Sequence, residues 1–189
     1  MPVGAPSTGS SVKAMSDLQR LVEPMIPALR RYARALLRDT VAADDLVQDC
    51  LERVVAHWQQ RRGRDPRTWA FAILHNLAVN RMRQKARRGD HLPFEAVEEG
   101  VLARRPAQED ALVQAELVSA LAQLPDDQRS LLLLVGVEDL SYAQVSEILA
   151  IPIGTVMSRL SRARERLRQL LENSDRSATR RGGHLRSVK

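Results

Sequence analysis

The chain has 189 residues, of which 44% are hydrophobic and 28% charged, a composition typical of a globular protein. Aromatic residues make up only 3% of it, and Leu, Ala, Arg, Glu and Gln dominate, which argues against an all-β fold. The single cysteine, Cys50, excludes an internal disulfide and a cysteine-based zinc site, and it predicts a reducing, cytoplasmic location. No apolar run approaches the roughly 20 residues that span a bilayer, so we expect no membrane insertion.

The net charge of +6 is unevenly placed along the chain. Arg61–Arg88 carries nine basic residues and one acidic residue, whereas Gly89–Leu117 carries two basic and seven acidic residues. Thr155–Glu172 is basic again, with five arginines against two glutamates. Two basic stretches separated by an acidic connector predict two modules that each meet a polyanion, although solvated Arg-rich helices would give the same charge count.

The first half of the sequence predicts three helices after a disordered tail over residues 1–16. The main first helix is expected to begin near Pro27, and Thr40 is the predicted N-cap of the second. Asp65 and Pro66 are a cap and a first-turn proline that open the third helix. The predicted apolar stripes are Leu46, Val47, Cys50, Leu51, Val54, Val55 and Trp58 on the second helix, and Trp69, Ile73, Leu74, Leu77 and Ala78 on the third.

Residues 89–106 are acidic and contain Pro93, Gly100 and Pro106, so we predict a flexible linker there. Helical spacing resumes near Ala107, and residues 173–189 are again expected to be a disordered basic tail. The predicted fold is all-α, with two small helical domains at residues 17–88 and 107–172.

The second domain contains the outline of a helix-turn-helix. Ser141–Gln144 is a capping-box pattern before a short helix, Ala150–Pro152 breaks that helix, and a longer amphipathic helix follows. Its apolar stripe must face the core, so small and basic side chains suited to a major groove point outward. An ordinary amphipathic surface helix is the alternative. The outward positions are Thr155, Met157, Ser158, Arg159, Ser161 and Arg162.

These segments resemble the extracytoplasmic-function (ECF) sigma factors of bacterial RNA polymerase. Leu140-Ser-Tyr and Ile151–Arg164 resemble the region 4 helix-turn-helix of that family, and Asp44–Asp49 resembles its region 2.2. The series Trp69, Ile73, Asn76, Asn80 and Arg83 resembles its regions 2.3 and 2.4. The resemblance covers Leu18–Leu171, implies a three- or four-helix bundle for region 2, and extends to the general-stress-response subgroup.

The resemblance implies an alternative sigma factor that performs no catalysis and needs no cofactor or metal. Its implied partners are core RNA polymerase (through the β′ clamp helices and the β flap), promoter DNA, and an anti-sigma factor that holds it inactive. The implied polymerase contacts are Asp44, Asp45, Leu46, Gln48 and Asp49. Without the resemblance, the residues of this segment indicate only a solvated helix N-terminus. The implied −10 contacts are Arg61, Asn76, Asn80 and Arg83, and the −35 contacts are the six outward positions given above.

Two positions depart from the family pattern. Asn80 stands where an Asp is usual, and Met157 stands where many members have Arg or Lys. Because a methionine cannot make a bidentate guanine contact, readout of the −35 element would depend on Met157's neighbours.

Two other classes of function stay open from the residues alone. A two-domain transcription regulator would bind duplex DNA without polymerase, and a helical nuclease or hydrolase would need a catalytic cluster. The sequence offers no convincing metal or nucleophile cluster, and its four histidines lack metal-ligand spacing.

Overall fold

The computed structural model describes residues 18, 20–61, 63–88 and 108–183, so the predicted tail 1–16 and linker 89–106 lie outside the described residues. Within those ranges the chain forms helices and no strand, and no helix is both long and apolar enough to cross a membrane. The elements are a 3-10 turn at Glu23–Met25, α1 at Ile26–Leu37, α2 at Thr40–Ala56, a 3-10 turn at Trp58–Arg61, α3 at Pro66–Arg88, α4 at Gln108–Ala122, α5 at Asp126–Leu132, a π turn at Leu133–Val137, α6 at Tyr142–Leu149 and α7 at Ile153–Gly183.

The predicted caps are confirmed at two helices and wrong at one. Asp65 caps α3 because its carboxylate accepts the Thr68 backbone N–H at 2.8 Å. The cap of α2 is Asp39 rather than Thr40: Asp39 has extended backbone angles, and its Oδ1 accepts from Ala42 N at 2.9 Å. Thr40 already has helical geometry, so it is the first residue of the helix.

The capping box of α6 is present in full. Ser141 Oγ accepts from the Gln144 backbone N–H at 3.3 Å, and the Gln144 side chain accepts from Ser141 N at 2.9 Å. Ala150 then ends the helix in the left-handed region, with φ of 52°. Both ends of α6 are therefore fixed by local contacts, and the turn into α7 starts at Ala150.

The N-terminal module, defined as residues 20–88, packs α1, α2 and α3 around one apolar core. The Phe71 ring meets Tyr32 edge to face with centroids 5.7 Å apart, and both side chains are buried. The predicted inward stripe of α3 is partly wrong, because Phe71 is fully buried while Trp69 and Ile73 are half-buried. The buried core of α3 is Ala70, Phe71, Leu74, Leu77 and Ala78.

The C-terminal module, defined as residues 108–183, buries Val156, Leu160 and Ala163 of α7, as predicted. Its α7 helix continues to Gly183, past the predicted end at residue 172. No proline or glycine occurs between residues 155 and 181, and Arg168 pairs with glutamates on both sides within the helix. The expectation of disorder after residue 172 rests on a strongly polar composition, which does not by itself end a helix whose preceding turns are supported by charge pairs.

The two modules pack against each other. Helix α3 contacts α6, and α1 contacts both α5 and the π turn. The buried apolar residues of both modules form one contiguous cluster. We call this contact between the modules the joint; its polar residues are described with the functional surfaces below.

Candidate nucleic-acid interface

The outward face of α7 carries the side chains predicted to meet the −35 element. Met157 is 51% exposed, and Ser158, Ser161 and Arg162 are also exposed. Ser158 Oγ donates to the Thr155 carbonyl at 3.2 Å, and Arg162 Nε donates to the Ser158 carbonyl at 3.3 Å. The arginine is therefore held along the helix with its terminal nitrogens free to meet an acceptor such as a guanine edge or a phosphate.

The predicted −10 face lies on α3. Asn76, Asn80 and Arg83 are all exposed, and their spacings of four and three residues place them on one side of the helix. Arg61 lies at the end of the preceding 3-10 turn, where its guanidinium sits 4.4 Å from the centroid of the Trp58 ring. That cation–π contact positions a basic group beside the start of the third helix.

Two arginines near the start of α3 face the C-terminal module. Arg67 Nη2 donates to the backbone carbonyl of Glu138 at 2.7 Å. Arg64 also faces the C-terminal module, with its Nε 3.9 Å from the carboxylate of Glu147. Both side chains therefore belong to the joint in this arrangement.

The acidic face predicted to meet polymerase lies at the start of α2. The Asp44 carboxylate accepts from Arg34 Nη2 at 2.9 Å, so part of its charge is already neutralised. Asp45 is 63% exposed at its side chain and lies 3.7 Å from Arg81. Gln48 and Asp49 are exposed as well, and Gln48 donates to Glu52.

Leu46 does not belong to that face. It is 2% exposed and packs in the core of the N-terminal module, so in this conformation it offers no surface to a partner. It lies on the same helix stripe as Ala43, Val47 and Cys50, all of which are buried.

Sequence reasoning missed two buried charged residues at the joint. Glu138 is wholly buried at its side chain, and both arginines that reach it come from the N-terminal module. Arg129 is 2% exposed and donates to the carbonyls of Leu36 at 3.0 Å and Leu124 at 3.3 Å. No local signal in the sequence could have identified them, because their partners are up to 107 residues away.

One groove between the modules is lined by residues from both predicted DNA-contact surfaces. We call these surfaces, the −10 face on α3 and the −35 face on α7, the reading faces. The groove has a volume of about 390 Å³, and Arg83 of α3 and Arg159 of α7 both line it. Its apolar lining includes Val79 and Met82 on one side and Leu149 on the other. In this arrangement one arginine from each predicted surface therefore lines the same groove.

His75 and Cys50 are embedded in the N-terminal module. Burial lowers the pKa of His75 to about 4, and its Nδ1 lies 2.9 Å from the hydroxyl of Tyr32. Burial also raises the pKa of the Tyr32 hydroxyl, so the hydrogen bond joins two neutral groups. Burial raises the pKa of the Cys50 thiol to about 12, which makes it unreactive in the folded chain.

Across the described ranges, no three His, Cys, Asp or Glu side chains come together as a metal site.

Comparison with known proteins matches the two modules separately. Residues 22–75 match the Sigma2 domain of PhyR, and residues 114–167 match Sigma-70, region 4. The ECF RNA polymerase sigma factor EcfG of Rhodopseudomonas palustris is 35% identical over 147 residues, which are 77% of this chain and 80% of the relative. The ECF RNA polymerase sigma factor SigW of Bacillus subtilis is 31% identical over 73% of this chain and 80% of its own length.

A solved structure extends the similarity to the arrangement of helices. The sigma factor RpoE of Bartonella quintana, in complex with the anti-sigma factor NepR, is 34% identical and superimposes with a TM-score of 0.69. The superposition covers 82% of this chain and 97% of the other, so it includes both modules.

Proposed function

Because the chain belongs to the family of ECF RNA polymerase sigma factors, we propose that it binds core RNA polymerase through α2 and directs the enzyme to promoters that α3 and α7 read. As an alternative sigma factor it carries out no bond chemistry, since the polymerase holds the active site. It acts in the cytoplasm, where polymerase and genomic DNA are found.

The observation that carries the proposal is the outward face of α7. Arg162, Ser158 and Ser161 project together from a helix whose opposite side is anchored in the core. A recognition helix needs such a division between a fixed face and a free polar face. On α3 the exposed amides of Asn76 and Asn80 offer both donors and acceptors to base edges of the −10 element.

We further propose that an anti-sigma factor holds this chain inactive. The relative RpoE was solved with an anti-sigma factor, and in this chain Arg83 of α3 and Arg159 of α7 line one groove between the modules. A partner that occupied this groove would cover Arg83 and Arg159 together. Membership of the general-stress-response subgroup stays a prediction.

The experiment that tests the proposed function separates the two activities by substitution. Arg162→Ala should weaken promoter binding by about 1–3 kcal/mol and leave polymerase binding unchanged. Asp45→Asn combined with Gln48→Ala should do the reverse, because both residues are exposed on the face assigned to polymerase. The measurements are a pull-down with core polymerase and a DNA-binding titration at saturating core polymerase, where each variant is fully assembled into holoenzyme.

The matched control is Arg168→Ala. Its guanidinium pairs with Glu165 and Glu172 within α7, so its loss should leave both activities unchanged. Equal losses of polymerase and promoter binding in the Arg162→Ala chain would refute the assignment of α7. Promoter binding should also weaken as salt rises, because phosphate contacts release counterions.

A further inference from the structure

The buried carboxylate of Glu138 receives its ion pairs from the other module alone. Arg31 of α1 donates from Nε to Oε1 at 2.9 Å and from Nη2 to Oε2 at 2.7 Å, a bidentate pair. Arg67 of α3 lies 3.6 Å from Oε2 and also donates to the Glu138 backbone carbonyl. Among the described residues, the hydrogen bonds to this carboxylate all come from the N-terminal module.

Glu138 therefore contributes to the joint rather than to its own module. Bidentate Arg–carboxylate pairs are among the stronger polar contacts, and a carboxylate that loses its partner while still buried is strongly destabilising. If the modules separate, Glu138 is freed from the cover of α1 and α3 and regains water. Arg31 and Arg67 are about a third exposed already, so both can hydrate readily when the pair breaks.

Arg129, the other buried charge at the joint, behaves differently. Only one of its hydrogen bonds, to the Leu36 carbonyl, crosses between the modules. Its bonds to the Leu124 carbonyl and to Asp126 lie within the C-terminal module. Separation would leave Arg129 partly satisfied, whereas Glu138 would lose every bond its side chain makes.

The packed arrangement cannot serve a promoter. The −10 and −35 elements are about 25 base pairs apart, which at 3.4 Å per pair is about 85 Å of duplex. Arg83 and Arg159, one on each predicted reading face, line a single groove of about 390 Å³. Both faces cannot engage their elements until the modules part.

We propose that Glu138, gripped by Arg31 and Arg67, is a latch that holds the free chain in a closed form unable to bind both promoter elements. Its part in promoter selection rests on the proposed function, whereas its effect on the joint does not. Opening breaks the ion pairs of Glu138 and also separates the apolar contacts between α3 and α6, so both kinds of contact oppose opening. Loss of the latch should therefore shift the equilibrium toward the open form without abolishing the closed one.

The test is single-molecule energy transfer between dyes on the two modules of the full chain. Glu52→Cys on α2 and Arg166→Cys on α7 place the dyes at exposed positions, and Cys50→Ala removes the native thiol. Glu138→Gln should raise the ratio of open to closed molecules about tenfold or more, because an amide cannot replace the bidentate carboxylate. Arg31→Met should do the same from the other side of the joint.

The matched control is Asp139→Asn. Asp139 is the neighbouring carboxylate, it is exposed, and its φ of 52° is tolerated by asparagine. This control should leave the open fraction unchanged. The double variant Glu138→Gln with Arg31→Met should be no more open than Glu138→Gln alone, because the first change already removes the contact that Arg31 makes.

The outcomes decide the proposal. Opening by both single variants, without additivity, supports the latch. An unchanged open fraction in both variants overturns it, as does opening by Glu138→Gln alone, which would show that Arg31 does not hold the closed form. If Glu138→Gln loses helical circular dichroism, Arg31→Met decides the question by itself. Polymerase and DNA are absent from the assay, so a failed latch is distinguishable from a failed sigma-factor assignment.

Discussion

The interior of the N-terminal module and the joint between the modules are built from different contacts. The interior is apolar, with Tyr32 and Phe71 in edge-to-face contact at its centre. The joint holds Arg129 and Glu138, the two charged residues that the described ranges bury. Apolar surface resists exposure to water, whereas ion pairs exchange protein partners for hydration. Unfolding a module therefore exposes apolar surface, whereas separating the modules also returns two buried charges to water, which offsets part of the cost of exposing the apolar contacts between them.

The largest effect should come from the interior. Phe71→Ala removes a fully buried ring and should lower the free energy of unfolding by about 3–5 kcal/mol. The measurement is urea denaturation followed by circular dichroism. Val41→Ala on α2 is the control, because Val41 is 74% exposed and its loss should change stability by no more than about 0.5 kcal/mol. A loss below 1 kcal/mol in Phe71→Ala would show that this interior is not the stabilising core.

Measuring unfolding free energy against pH tests the edge of the interior. His75 is the residue to follow, because it bonds Tyr32 inside the N-terminal module and also lines the groove between the modules. Burial lowers the pKa of His75 from 6.5 to about 4, so the unfolded chain binds a proton that the folded chain resists. The contribution of neutral His75 to the free energy of unfolding is therefore fully present above pH 6.5 and is lost as pH falls toward 4. It amounts to at most about 3 kcal/mol.

The variant His75→Gln serves as the control for that titration. It should flatten the dependence of unfolding free energy on pH between 6.5 and 4, because it removes the titrating group. If wild-type stability stays constant over this interval, the imidazole is not held neutral by burial.

The smallest expected effect is an unchanged reaction rate at Cys50 when the joint is weakened. This rate tests whether the joint opens independently of the interior. Cys50 has no exposed surface, and burial raises its thiol pKa to about 12, so it should react with a thiol reagent only when the N-terminal module unfolds. Glu138→Gln should react at the wild-type rate, whereas Phe71→Ala should react faster. Acceleration in Glu138→Gln would mean that the joint and the interior open as one unit.

Much of the local structure follows from the sequence because it depends on neighbouring residues. The cap at Asp65, the capping box at Ser141 and the buried stripe of α7 all involve residues a few positions apart. The inward face of α3 is shifted from the prediction, since periodicity defines a stripe without showing that Phe71 lies under Tyr32. The motifs for both modules were sufficient to identify the family.

The joint could not be predicted in the same way. Arg31 and Glu138 are ordinary surface residue types, and only the packing of α1 against the π turn brings them together. Leu46 makes the same point in reverse, because the family motif includes it among the contact residues although the packed helix buries it in the free chain. Contacts between distant segments depend on how helices pack, which neither periodicity nor capping specifies.

Transcription initiation with purified core polymerase on fragmented genomic DNA is the most direct test of the central claim, that this chain directs polymerase to promoters. The account predicts new start sites that require the chain, each preceded by paired −10 and −35 elements, and a reduced yield from these sites when Arg162 is replaced by alanine. Start sites identical to those of core polymerase alone would contradict it.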